Sequence, residues 1–267
     1  MIKKDSMRTE QAAARLWEAA SSRKPCAPVR DLIGSDNIAS AYAVQELNIA
    51  KRVSAGARPV GRKIGMTSAA VQKQLGYFEP NYGTLFADRE ASDGEQIHQT
   101  RLLQPRAEAE IAFVLKHDLD REALTITDIT RAIEYAICAI EIVDSRIAGW
   151  DIRAADSIAD NASCGMYVLG GRPRRINEVD LTFCGMISRL NGQISSVGVG
   201  GASLGNPLLA LLWLARAVAA IGQPLKEADI VLSGALGPIV PLSPGDLFET
   251  EIEGFGSIRV ALSRDDG

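Results

Sequence analysis

The sequence predicts an α+β fold of mixed α/β character: a helical N-terminal layer over residues 1–60, then a mixed-sheet core over 61–267, together forming one compact unit. Three observations carry this reading. Apolar residues at helical spacing dominate up to about Ala55. After Gly56 the texture changes to short Val, Ile and Phe runs punctuated by Gly, Pro and Asp. Two of those runs, 105–115 and 136–143, are apolar except for glutamates set inside them.

In chain order, Ala12, Leu16, Ala19 and Ala20 mark a helix over about 9–22, and Ala39, Ala43, Leu47 and Ile49 mark a longer one over 36–55. A third helix is expected over 127–136, capped by Thr-Asp-Ile-Thr and running into the Glu141 strand. Asn206-Pro207 reads as an N-cap followed by Pro at the first helical position, with the helix continuing through Trp213 and Ala220 to a stop at Gly222. Strands are expected near 230–232, 247–252 and 257–262, separated by Gly-containing turns. There is no internal repeat, no low-complexity segment and no domain-separating linker.

The 267 residues include 46% apolar residues, enough for a packed core. The net charge of −4 arises from 33 acidic and 29 basic residues well mixed along the chain, which argues against nucleic-acid binding. Cys26, Cys138, Cys164 and Cys184 lack any C-x-x-C spacing, so neither a zinc knuckle nor a disulfide framework is suggested, and reduced thiols in a cytoplasm fit best. The N-terminus has no apolar core of a signal peptide, and no later stretch is expected to reach the ~20 apolar residues a membrane span needs.

The chemistry centres on Glu108, Glu110 and Glu141. In a strand, residues two apart share a face, so Glu108 and Glu110 project together with backbones about 7 Å apart, leaving Ala107, Ala109, Ile111 and Phe113 for the core. Buried carboxylates this close require a counter-charge, and oxygen-only ligands suit a hard cation such as Mg²⁺ or Mn²⁺. The competing reading is a solvated strand face with Glu108 and Glu110 paired to Arg106 or Arg146. Glu141, flanked by Ala139-Ile140 and Ile142-Val143, tips the balance toward a metal site.

Lys63, between glycines in Val60-Gly-Arg-Lys-Ile-Gly65, is placed either as a surface charge or to stabilise or move charge beside a cation. Gly198-Val-Gly-Gly-Ala-Ser-Leu-Gly205 is read as a turn before the Asn206 helix rather than a dinucleotide loop. Ser233-Gly-Ala-Leu-Gly-Pro238 is a tight turn or an offer of backbone N–H groups to an anion, and Ser163 either faces a pocket or caps a turn. His98 and His117 have no partner at ligand spacing, and Cys164 reads as an apolar filler rather than a nucleophile.

Six segments then bear a resemblance to a known family. Gly61-Arg-Lys-Ile-Gly-Met-Thr67, Pro80-Asn-Tyr-Gly-Thr-Leu-Phe-Ala-Asp88, Pro105-Arg-Ala-Glu-Ala-Glu-Ile-Ala112, Ile140-Glu-Ile-Val-Asp-Ser-Arg146, Asp160-Asn-Ala-Ser-Cys-Gly165 and Leu232-Ser-Gly-Ala-Leu-Gly-Pro238 resemble, in order, the motifs of 2-keto-4-pentenoate hydratases and the related 4-oxalocrotonate decarboxylases of the fumarylacetoacetate hydrolase superfamily. The resemblance covers most of the chain. It implies a fumarylacetoacetate-hydrolase-like bent mixed β-sheet core, a divalent ion (Mg²⁺ or Mn²⁺) on Glu108, Glu110 and Glu141, an active-site Lys63, and a substrate pocket lined by Asn81, Ser163, Ser233 and Gly234. It further implies a homo-oligomer, possible complex formation with a pathway partner enzyme, and a place in aromatic meta-cleavage catabolism.

The implied reaction is addition of water to a 2-hydroxy-2,4-dienoate, seen as its 2-oxo-4-enoate form, to give a 4-hydroxy-2-oxo acid. A 4-oxalocrotonate-type decarboxylase is the alternative, and a non-catalytic 2-oxo-acid-binding partner subunit is another. One departure bears on the choice: many hydratases of this group carry Asp where this chain has Asn81, and an amide cannot act as a base. Either Glu79 or Asp88 takes over, or the reaction differs.

Overall fold

The structure, a computed structural model, describes residues 2–121 and 123–264. Helices α1 (Ile2–Ser22), α2 (Arg30–Ile33) and α3 (Ile38–Ser54) come first. Ala12, Leu16, Val29, Ile33 and Val44 form their shared apolar cluster, which Ile147, Ala155 and Ile158 complete from later in the chain. The buried face of α3 is Ala41, Val44 and Gln45, not the expected Ala39, Ala43 and Leu47, which are exposed. Gln45 overrides the apolar pattern because its Nε2 donates 2.9 Å bonds to both Tyr82 O and Ile158 O.

There follow β1 (Pro59–Gly65), α4 (Ala69–Leu75), β2 (Asn81–Phe86), β3 (Glu90–Ala91), β4 (Gln96–Ile97) and β5 (Pro105–Leu115). Next come α5 (Ile126–Ala132), β6 (Ile133–Asp144), α6 (Ala154–Ala159), β7 (Cys164–Leu169), β8 (Gly185–Leu190) and β9 (Gln193–Val199). The chain closes with α7 (Pro207–Ala220), β10 (Ile230–Leu232), β11 (Val240–Pro241), β12 (Leu247–Ile252) and β13 (Gly256–Leu262). The third helix ends at Ala132 rather than Ala136. From Ile133 onward the backbone is extended, and Ile133, Tyr135 and Ala136 pair with Leu115, Val114 and Phe113 of β5. Long-range ladder bonds there outweigh the local helical spacing.

The main sheet runs β2-β1-β10-β5-β6-β7-β3, with β11 added to β5, and a second sheet runs β4-β13-β12-β8-β9. Both are mixed: β1–β10, β3–β7 and β4–β13 are parallel and the other pairings antiparallel. The main sheet is strongly bent, because β2 and β7, far apart in strand order, touch each other. Its inner face gathers Leu85, Ala112, Ala139, Tyr167 and Leu232. Its outer face, with Ala107, Ala109, Ile111 and Phe113, packs on Phe248, Ile258 and Val260 of the second sheet and on Leu211 and Leu214 of α7.

Helix α7 begins as expected, with Asn206 Oδ1 accepting from Leu208 N and Pro207 in the first turn. Contrary to the expectation from sequence, the 21-residue segment Gly200–Ala220, mean hydropathy 1.4, is apolar and long enough to cross a bilayer. Its α-helical part, however, has 14 residues, about 21 Å against a ~30 Å hydrocarbon layer, and buries Ala210, Leu211, Leu214, Ala215 and Val218 in the core.

Candidate metal centre

Strand register brings the acidic side chains together. Glu108 of β5 lies directly opposite Glu141 of β6, while Glu110 stands one step along the same face, opposite Ala139. Directly opposed residues have Cβ atoms about 5 Å apart. One oxygen from each of the three carboxylates lies within 4.8 Å of the others. Lys63 reaches this face through a chain of registers: it pairs with Leu232 of β10, which pairs with Ala112 of β5, on the face that carries Glu108 and Glu110.

Lys63 Nζ lies 3.0 Å from Glu141 Oε1, forming an ion pair, and donates at 3.0 Å to Ala162 O. Lys63 is 3% exposed, and Glu110 and Glu141 are fully buried. Neither arginine proposed as a surface partner takes that part. Arg146 binds Asp160, and Arg106 stacks 4.2 Å over the Trp150 ring.

Glu110 Oε2 accepts from Gly234 N at 2.7 Å, so the Ser233-Gly234 turn does present a backbone N–H to an anion, and the anion is a side chain of the protein. Gly234 has φ +97 and sits against Thr67, where a Cβ would lie 2.4 Å from Thr67 Cγ2, so a side chain there is excluded twice over. Several oxygens around it lack a hydrogen-bond partner. Among the described residues, the buried side-chain polar atoms lacking a hydrogen-bond partner are Asn81 Oδ1, Glu110 Oε1, both Glu141 oxygens, Ser163 Oγ and Ser233 Oγ, together with Gln45 Oε1. Gln45 apart, these atoms belong to residues that the sequence singled out. Buried polar atoms are almost always paired, so a cluster of unpaired oxygens marks a place for a ligand with positive charge or donors. Three carboxylates beside neutral oxygens form a donor set that a hard divalent cation fits.

Asn81 is 1% exposed, with Nδ2 donating to Ser157 Oγ at 3.3 Å. Its two suggested substitutes are elsewhere: Asp88 is exposed and bound to Arg52, and Glu79 is exposed and accepts from the Tyr77 hydroxyl. Ser163 ends a turn in which Asn161, Ala162 and Ser163 have φ of 56°, 51° and 54°. Left-handed backbone costs about 1–2 kcal/mol per non-glycine residue. This turn is nonetheless what aims Ala162 O at Lys63. Gly83, opposite Lys63 on β2, makes room for it, since a Cβ there would come within 2.3 Å of Asn161 O.

Sequence reasoning missed the supporting residues Thr67, Gly83, Ser157 and the Arg146–Asp160 pair. Thr67, Gly83, Arg146 and Asp160 lie inside the segments that carry the family resemblance, but their roles depend on contacts across the sheet. A cavity of about 550 Å³ lies outside the carboxylate cluster, bordered by Arg52, Arg89, Arg146, Asp160, Asn161 and Cys164. The Cys164 thiol is pushed up to about 12, chiefly by burial and next by Glu141, which agrees with an inert filler.

Burial, then repulsion from Glu141, raises the Glu108 carboxyl to about 7 against the opposing pull of Lys63 and Arg106. Glu110 is raised well above its ordinary value by burial, Glu141 and Glu108. Burial also raises Glu141, against Lys63. Burial alone would lower Lys63, but the charges of Glu141 and Glu108 outweigh it and hold the ammonium protonated.

A carboxyl raised in the folded state contributes stability that is present below its unfolded value and lost as pH rises through about 7. The protein without a divalent ion should therefore lose stability between pH 5 and 8 on account of this cluster. A cation must displace those protons, so the rise in Tm on adding excess Mn²⁺ should be several degrees near pH 8 and about 1 °C or less near pH 5. A pH-independent rise, measured by differential scanning fluorimetry, would place the ion on other groups.

The family model for the fumarylacetoacetate (FAA) hydrolase C-terminal region matches residues 54–263. The chain belongs to the fumarylacetoacetate hydrolase family. Within it, the chain is 53% identical over 267 residues to the TodF product hydratase of Pseudomonas putida F1, covering 99% of this chain and 100% of that one. It is 49% identical over 250 residues to a 2-keto-4-pentenoate hydratase of Paraburkholderia xenovorans LB400, covering 94% and 93%. The 4-oxalocrotonate decarboxylase of Pseudomonas putida G7 superposes with TM-score 0.88 at 32% identity in its complex with magnesium and adipate, covering 95% of this chain and 97% of that one.

Proposed function

We propose that this chain is a divalent-cation-dependent hydro-lyase that adds water to a 2-hydroxy-2,4-dienoate, giving a 4-hydroxy-2-oxo acid in aromatic meta-cleavage catabolism. The observation that carries it is the trio of carboxylates Glu108, Glu110 and Glu141 beside Lys63, the latter two buried with unpaired oxygens, in a chain half identical to hydratases. In this reading Glu108, Glu110 and Glu141 hold Mg²⁺ or Mn²⁺. A divalent ion supplies Lewis acidity toward the carboxylate and 2-oxygen of the substrate and neutralises charge that builds there.

The protein does the rest. Lys63 Nζ, fixed by Ala162 O and the Glu141 carboxylate, moves a proton as the dienol becomes the 2-oxo-enoate. That proton goes to C5, leaving the conjugated C3=C4 double bond, across which water then adds with its oxygen at C4 and a proton at C3. Ser163 Oγ and Ser233 Oγ, both buried and free of internal bonds, orient the substrate oxygens. Asn81 Oδ1 can accept a proton of the attacking water as a hydrogen bond without removing it, so base work falls to other groups.

The likeness to the decarboxylase favours a second reading, in which CO₂ leaves a 2-oxo-enedioate. Arg106 also favours it, since it shares the strand face of Glu108 two residues away and could hold a distal carboxylate. Purified protein with Mg²⁺ or Mn²⁺ should bleach the dienol absorbance of 2-hydroxypenta-2,4-dienoate and place ¹⁸O from labelled water at C4. CO₂ release from 4-oxalocrotonate instead would support the decarboxylase, and no reaction with either would leave a 2-oxo-acid-binding subunit. A cytoplasmic homo-oligomer completes the proposal: the four cysteines are free, and Phe183, Ile194 and Val197 leave apolar surface exposed around the β8–β9 hairpin.

A further inference from the structure

We infer that Arg146 is a positioning residue: its guanidinium ties together the two ends of the left-handed turn Asn161–Ala162–Ser163, and so sets both the carbonyl that holds Lys63 and the hydroxyl of Ser163. The inference rests on the reading of Lys63 as the proton-handling group.

Arg146 contacts the residue just before the turn and the residue just after it. Its Nη2 donates to Asp160 O, its Nε to Asp160 Oδ1, and its Nη1 to Cys164 O at 2.9 Å. The backbone N–H of Arg146 donates at 2.9 Å to Asp160 Oδ2, so the carboxylate is held from both directions. The Arg146 side chain is only 13% exposed and that of Asp160 2%, leaving little water to compete for these bonds. On the far side of the turn, the Asn161 amide pairs with Thr84 like a neighbouring strand, Oδ1 accepting from Thr84 N at 2.8 Å and Nδ2 donating to Thr84 O at 3.0 Å. Three consecutive non-glycine residues with positive φ do not hold that conformation by local preference, so it persists because both flanks are pinned.

The carboxylates depend on this turn much less. Glu108, Glu110 and Glu141 are carried by β5 and β6, whose ladder is unbroken at those positions. Loosening the turn should thus move Lys63 and Ser163 while leaving the donor cluster in place. A lysine at position 146 would not substitute, because a single ammonium cannot match the planar spacing of three acceptors at once.

The cavity of about 550 Å³ that Arg146 borders makes chemical rescue possible, since a free guanidinium ion can enter from that side. In Arg146→Ala, kcat for hydration should fall about 10²-fold with Mn²⁺ affinity within about threefold of wild type, and millimolar guanidinium chloride should restore a substantial part of the rate while methylammonium does not. Amide hydrogen exchange should rise at 160–165 and stay unchanged in β5 and β6. Should Arg146→Ala not be recovered folded, Arg146→Lys replaces it, with at least a tenfold loss of kcat expected. Unaltered kcat, or joint loss of rate and Mn²⁺ binding without guanidinium rescue, would overturn the inference. If the wild-type protein hydrates no dienoate, the proposed function fails, and the exchange pattern still decides whether Arg146 holds the turn.

Discussion

Glu141→Gln should lose at least 10³-fold in turnover, about 4 kcal/mol of transition-state stabilisation, and remain folded. Glutamine matches the volume of glutamate, so the fully buried site between Ile140 and Ile142 keeps its packing. What disappears is one negative charge and one of two oxygens, which face Lys63 and otherwise have no donor within the protein. The loss therefore falls on whatever cation those oxygens serve, and Mn²⁺ affinity should drop by about 10²-fold or more. Lys63 also loses its nearest counter-charge at 3.0 Å, although Glu108 and Glu110 still offset it. Circular dichroism and Tm without added metal should stay close to wild type, because removing a carboxylate from a crowded acidic cluster relieves repulsion. Unchanged turnover or unchanged Mn²⁺ binding would remove Glu141 from the ligand set.

The acidic centre was legible in the sequence because strand periodicity is strict. Glu108 and Glu110 must share a face, and Glu141 within an apolar run has to be buried. Which residues stand opposite them was not legible. The Glu108–Glu141 pairing and the route from Lys63 through Leu232 to Ala112 are facts of register between strands far apart in sequence. The left-handed turn at 161–163 was hidden for another reason. No glycine announces it, and it is imposed from outside by Arg146 and Thr84. The strands at 230–232 and 247–252 and the Asn206-capped helix were readable from local turn and cap chemistry. The face of α3 and the end of α5 were set instead by Gln45 reaching two distant carbonyls and by ladder bonds to β5.

Lys63→Ala should separate rate from binding, with kcat falling by about 10²–10⁴-fold while Mn²⁺ affinity at pH 8 is at least that of wild type. Lys63 is the cation that pairs with Glu141, so its loss leaves a fully buried carboxylate uncompensated when no metal is present, a change of about 3–5 kcal/mol for a broken buried pair. That carboxylate can escape only by taking a proton. Glu141 is already raised by burial and held down by Lys63, so removing Lys63 raises it further. The stability lost should accordingly be small near pH 5, where the carboxyl is protonated, and large near pH 8. A bound cation offers the same buried oxygens a replacement charge, so the Mn²⁺-induced rise in Tm at pH 8 should be larger in Lys63→Ala than in wild type, even though turnover has almost gone. Thermal scans with and without Mn²⁺ at the two pH values, alongside single-turnover kinetics, test both halves. If Mn²⁺ affinity collapses together with the rate, Lys63 is part of the scaffold of the site. If the rate survives, the proton is moved by another group.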